Sequence, residues 1–163
     1  MKHIVEKNWT TGTGNKIDFY DLLRIVRRST LKGSKVFIGT DSFVASKNIC
    51  FASAVCLYGG NSPSRYFFFK ENISKKQKLY TALVSRILEE TRRSIEIGCL
   101  LIEEYNFDSS IIELHLDVSP VSAGNGTSKF SDMLKGYVQG YGFDFRLKPE
   151  AWASQSIADR HSK

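Results

Sequence analysis

Hydrophobic and polar positions change period several times along the chain, and each change marks an element. From Ile17 to Arg28, the residues Phe19, Leu22, Leu23 and Val26 recur at helical spacing with Arg24, Arg27 and Arg28 around them. A short amphipathic helix is expected there, stopped at Lys32-Gly33. KVFIGTD, residues 35 to 41, is a β-branched and aromatic run that reads as a strand. Two more strands are expected at Ile49 to Tyr58 and Arg65 to Lys70, with Gly59-Gly60-Asn61 and Pro63 turning the chain between them. A long helical pattern follows from about Lys75 to Tyr105, and IIELHLDV, residues 111 to 118, reads as a buried strand. The loop PVSAGNGTS leads to a helix from about Lys129 to Gln139, ended by Gly140 and Gly142. FDFRLKP reads as a last short strand and Ala153 onward as a last helix. Residues 1 to 15, ending in TGTGN, read as a flexible lead-in. This order predicts one α/β domain over residues 1 to 163. Its five-stranded mixed sheet has three antiparallel strands, then two parallel ones, flanked by helices.

The acids on this framework are the candidate chemistry. Alternation in KVFIGTD puts Phe37, Gly39 and Asp41 on one face and Val36, Ile38 and Thr40 on the other. A carboxylate closing an apolar strand is costly to desolvate unless it is paired or bound to metal, although turn and cap aspartates also sit at strand ends. Asp117 repeats the arrangement in IIELHLDV, sharing a face with Glu113 and His115. Neighbouring strands lie about 4.8 Å apart, so carboxylates at two such ends could share one cation. On the long helix, at about 100° per residue, Tyr80, Val84, Ile87, Thr91, Ile95 and Ile102 form the apolar arc. Glu89 and Glu96 fall opposite it, where they would be solvated and could pair with Arg92 or Arg93, whereas Glu90 lies at its edge. Glu90 is therefore the glutamate aimed at the boundary of sheet and solvent, or else one that snorkels to water. Asp159 follows the small residues of the last helix and has little support from spacing alone.

Composition narrows the setting. The 163 residues carry a net charge of +6, which suits a polyanionic partner such as nucleic acid. Three cysteines without metal-ligand spacing argue for a reducing compartment and against both a disulfide framework and zinc. The beginning lacks the apolar stretch of a signal peptide, and no segment approaches the roughly 20 apolar residues of a membrane span. A cytoplasmic protein with no membrane partner is expected, and the Asn-x-Ser/Thr matches at Asn72 and Asn125 are read as chance.

FIGTDS followed by two strands, RILEETRRSIEI on the helix, LHLDVSP on the next strand and KPEAWASQSIADRHSK at the end resemble the YkuK family of ribonuclease H-like proteins, a predicted nuclease group. The similarity covers nearly the whole chain after about residue 30, and the element order matches the ribonuclease H-like fold. Glu150 departs from the aspartate that the family favours after the Lys148-Pro149 pair. The resemblance implies a catalytic, metal-binding set of Asp41, Glu90, Asp117 and Asp159, holding Mg²⁺ or Mn²⁺. By analogy with ribonuclease H-like enzymes, Asp41 would bridge two ions about 4 Å apart. Asp159 would complete the water-activating site, and Glu90 with Asp117 would hold the other ion. Ser42, Lys129, Lys148, Arg160 and His161 are expected as nucleic-acid contacts. The expected activity is metal-dependent hydrolysis of RNA or DNA phosphodiesters. The alternative is a non-catalytic nucleic-acid-binding or interaction module that keeps the fold.

Other motifs are weaker. TGTGNK and GNGTSK lack the spacing of a phosphate loop, although GNGTSK precedes a helix whose amides could hold a phosphate. A triad of Ser42, His115 and Asp117 has no nucleophile elbow to support it. His115 reads as a packed or hydrogen-bonded strand histidine, and His161 could instead assist a water. The aromatic run Tyr66 to Phe69 reads as buried strand in preference to a base-stacking platform.

Overall fold

The computed structural model describes residues 1–120, 124 and 126–163. The GNGTSK phosphate-loop reading and the Asn125 sequon fall partly or wholly outside the described residues. Helix α1 (Lys2–Val5) and a two-residue strand β1 (Thr10–Thr11) precede helix α2 (Phe19–Thr30). The meander β2 (Lys35–Val44), β3 (Asn48–Tyr58) and β4 (Arg65–Ser74) comes next, followed by α3 (Leu83–Cys99). After these come β5 (Ile112–His115), α4 (Ser131–Gly140), β6 (Asp144–Arg146), a wide π-helical turn (Ala153–Ala158) and α5 (Asp159–Ser162).

The sheet has six strands in the order β1-β4-β3-β2-β5-β6, not the five expected, because Thr10 and Thr11 pair with Phe68 and Phe67. The meander is antiparallel, and β5 joins β2 in parallel, as β6 does β5. Residues 1–15, read from the sequence as a flexible lead-in, hold the buried Ile4 and Trp9. Trp9 meets Phe69 edge-on at 4.7 Å and donates its indole N–H to the Ile4 carbonyl. An indole sitting among so few local apolar residues gave no periodic signal, yet it buries a large surface here.

Local chemistry sets the helix limits. The Asp18 side chain accepts the Tyr20 amide hydrogen at 2.8 Å and caps α2. Gly33, at φ +90, turns the chain into β2. The long helix begins at Leu83 and not at Lys75, since Lys78 and Tyr80 adopt left-handed backbone. Past Cys99 it widens into a π-helical segment, Leu100–Glu104.

The sheet is covered on both sides. Val36, Ile38, Val55, Leu57, Phe67 and Phe69 face the larger core layer, shared with α2, α3 and α4. Ala54, Cys56, Phe68 and the half-buried Phe37 and Tyr66 face a thinner layer closed by Ala153 and Ala158. The aromatic run of β4 is thus divided between two cores by simple alternation. Gly39 is essential to the thin layer: a Cβ there would collide with the backbone of Ala153 and Ser154, so the last helical segment rests directly on β2. Among the described residues, no helix is long and apolar enough to cross a membrane.

Candidate active site

Asp41 does not end its strand as expected. It lies inside β2, opposite Ala52, with the strand continuing to Val44. A turn-capping role is therefore closed to it. It faces the last helix and is 7% exposed, and its Oδ2 accepts the Ser162 hydroxyl hydrogen at 2.7 Å. Burial pushes its carboxyl up to about 6. The Ser162 hydrogen bond opposes that rise, and the negative charges of Asp117 and Asp159 add to it.

Glu90 reaches the same end of β2 from the other face. Its Oε1 accepts the Ser42 hydroxyl hydrogen at 2.6 Å. Burial is the main cause that raises it to about 8, with Asp41 and Asp117 adding to the rise and Ser42 and Arg86 opposing it. Burial thus favours the neutral, protonated form of Glu90 when no cation is near.

Asp117 stands just beyond β5, which is shorter than expected because the chain turns there: the Val118 amide bonds back to the Leu116 carbonyl. The pairing of Gly39 with His115 brings this turn alongside Asp41. The Lys148 amide bonds to the Val118 carbonyl, and its Nζ lies 2.7 Å from Asp117 Oδ1. That contact is an ion pair without hydrogen-bond alignment, so the buried Oδ1 keeps an unused lone pair. Asp159, on α5, pairs with Lys163 at 2.8 Å.

Sequence reasoning missed Ser162 and Lys163. Their signal was the i, i+3 and i, i+4 spacing from Asp159, which sets all three on one side of a helical turn. The expected nucleic-acid contacts scatter. Ser42 is bound to Glu90 and Lys148 to Asp117, while the Lys129 ammonium lies 5.0 Å above the Phe130 ring. Arg160 is exposed on α5. His161 stacks on Phe68, with ring centroids 3.5 Å apart, and its Nε2 is 3.3 Å from the Tyr66 hydroxyl. The imidazole is thereby turned toward β4. His115 is buried, and its Nδ1 accepts the Ala153 amide hydrogen while Nε2 faces Glu113. It ties β5 to the start of the last helical segment.

Glu89 corrects the helical-wheel reading. It does pair with Arg92 and Arg93, but it is only 6% exposed. Arg93 lies over the Phe51 ring and also meets Glu71 of β4, so the polar side of α3 is roofed by the sheet edge. Glu89→Gln should cost about 3 kcal/mol by leaving a buried guanidinium short of its partner. A denaturant melt checks this, and a loss below about 1 kcal/mol would return Glu89 to the solvent-facing class.

Glu90→Gln should act oppositely on the fold. The Glu90 carboxyl titrates higher folded than unfolded, where it lies near the ordinary 4.5. Its contribution is complete below about pH 4 and drains away as the pH rises through about 8, since the unfolded chain gives up the proton first. The melting-temperature gap between Glu90→Gln and wild type, in chelator, should therefore widen in the variant's favour from pH 4 to pH 8. A gap that stays constant over that range means Glu90 is not held in a proton-retaining site.

The donor set is made of carboxylate oxygens, the chemistry of Mg²⁺ or Mn²⁺ and not of zinc. Two raised carboxyls and the unused lone pair of Asp117 fit such an ion. As they stand, however, no three His, Cys, Asp or Glu residues among the described residues are gathered closely enough to hold one. No curated protein matches the sequence. A family model described as Ribonuclease H-like matches residues 19–163, which takes in every element from α2 to α5. The chain belongs to the ribonuclease H-like family, of the YkuK type.

Proposed function

We propose that this protein is a metal-dependent nuclease of the cytoplasm, hydrolysing phosphodiester bonds of RNA or DNA at the centre formed by Asp41, Glu90, Asp117 and Asp159. The observation that supports it is electrostatic. Asp41 feels the charges of Asp117 and Asp159, and Glu90 those of Asp41 and Asp117. A fold gains nothing by holding repelling acids together unless a cation relieves them. The four carboxylates would hold Mg²⁺ or Mn²⁺, which supplies Lewis-acid polarisation and an acidified water when bound. A bound cation would favour the ionised form of Asp41 and Glu90, and Ser162 and Ser42 fix the orientation of one oxygen on each. Lys148 and Lys163 neutralise Asp117 and Asp159 in the metal-free arrangement, and Lys148 becomes free for a substrate phosphate once displaced.

The second reading is a binding module that keeps the fold. The two lysine pairs, with no three acids gathered among the described residues, are the observation in its favour. Two measurements on wild type and Asp41→Asn separate the readings. Millimolar Mn²⁺ should raise the melting temperature of wild type alone. Cleavage across single-stranded, duplex and hybrid RNA and DNA should require metal and vanish in Asp41→Asn. Binding without cleavage, and with equal Mn²⁺ shifts in both proteins, selects the module.

A further inference from the structure

We infer that Arg28, Lys32 and Arg65 form a phosphate anchor for a nucleic-acid strand, at the opposite end of the sheet from the carboxylate cluster. The three line one hollow of about 170 Å³, together with Ser29, Ser62 and Pro63. The ion pairs among the described residues engage other cations, leaving these three without an acidic partner. Asp21, the nearby acid on α2, is already paired with Arg24. Three exposed cations lining one hollow without a counter-charge favour an oxyanion there.

The backbone beneath the hollow is fixed. The turn between β3 and β4 is locked to the turn before β2: the Asn61 amide bonds to the Lys32 carbonyl, and Ser34 Oγ donates to the Gly59 carbonyl. Gly60 packs so tightly on Lys32 and Gly33 that a Cβ there would collide with their backbone. These contacts fix Lys32 beside the first residue of β4. Arg28, in the last turn of α2, lines the same hollow.

What surrounds the cations suggests a sugar-phosphate chain rather than a lone anion. Past Ile25 and Arg65 the hollow gives onto a larger one of about 380 Å³, lined by Thr11, Thr13, Ser64 and Tyr66. Hydroxyls beside half-buried apolar surface match ribose or deoxyribose between phosphates. Tyr66 in turn touches His161, two residues beyond Asp159. The surface therefore runs from the cations round the β1–β4 edge to the helix that carries Asp159. Arg65 pairs with Leu57 and Lys70 with Ala52, the neighbour of Asp41. Five residues along the strand and two strand spacings across give a span of about 20 Å. That line passes through the sheet, since Arg65 shares the α2 face with Phe67 while Asp41 faces the last helix. A strand following the surface round the edge at about 3.4 Å per nucleotide therefore needs more than roughly six nucleotides.

The inference rests on the nucleic-acid reading above and adds a length requirement to it. The test is equilibrium binding to fluorescent single-stranded and duplex oligonucleotides about twenty nucleotides long, and to one of about four, over a salt series in chelator. Inorganic phosphate and polyglutamate serve as competitors. The triple change Arg28→Ala, Lys32→Ala, Arg65→Ala should weaken binding of the long probes at least about tenfold. It should also flatten the single-strand salt slope by about 2, and the short probe, which can fill the anchor alone, should lose affinity as well. Arg65→Gln alone should take about one third of that slope, which keeps the test available if the triple variant folds poorly. Wild-type binding with unchanged affinity and slope in the variants overturns the anchor and leaves the nuclease reading intact. Absence of nucleic-acid binding by wild type overturns both. A loss seen only for inorganic phosphate, or equally for polyglutamate, overturns the assignment to a nucleic-acid strand.

Discussion

Asp159→Asn is expected to lower kcat by at least about 100-fold, or about 2.7 kcal/mol of transition-state stabilisation, while KM changes only a few-fold. The carboxylate is proposed to act on charge that develops during reaction, so its loss falls on the chemical step and not on substrate binding. Its side chain is about one third exposed and among the described residues pairs with Lys163, on its own helix, so the fold should survive the change. Lys163→Ala is the control, since it removes the same ion pair and leaves the carboxylate. Steady-state kinetics on a confirmed substrate decide the matter. Near-normal turnover by a folded Asp159→Asn protein would reduce the centre to three carboxylates.

Gly39→Ala should be as damaging, although it adds a single methyl at a residue that touches no substrate. The backbone of Ala153 and Ser154 occupies the space of that methyl, and backbone cannot rotate aside as a side chain can. The last helical segment must lift from β2, at a cost of about 1–3 kcal/mol. Lifting it takes Ser162 away from Asp41 and carries Asp159 off with it. Activity should be lost while the sheet remains. Hydrogen exchange would report this as new exposure over residues 150–163 with β2 and β3 still protected. An active Gly39→Ala protein with a protected last helix would show that the close approach is dispensable.

The element order and the mixed sheet were legible because long apolar runs and period changes carry them. Alternation in KVFIGTD placed Gly39 and Asp41 on one face, and that is the face the last helix covers. Helical phase separated Glu90 from Glu89, and Glu90 does reach Ser42 at the sheet. The same phase misjudged Glu89. A helical wheel sees the stripe of its own helix and not Glu71, which arrives from β4 to bury the opposite side. Asp159 entered through the resemblance, since a helix of small residues has no strong period of its own. Lys129 was grouped with the site by charge, but a cation's neighbours depend on the path of its loop, and this one rests on Phe130. Gly39 reads in sequence as a weak strand residue. Its role becomes visible only when another backbone lies against it.

The hydrogen bond between Asp41 and Ser162 joins residues 121 positions apart in the chain. A ribosome adding 5–20 residues per second needs about 6–24 seconds to supply the second after the first. Through that interval β2 and its meander can form, but the acids face one another incompletely and Asp41 has no serine to hold it. Contacts of such long sequence separation are also late in folding, because loop closure must precede them. The contact between Asp41 and Ser162 therefore forms after the meander. A nascent chain that has made only the meander holds Asp41 without its serine partner.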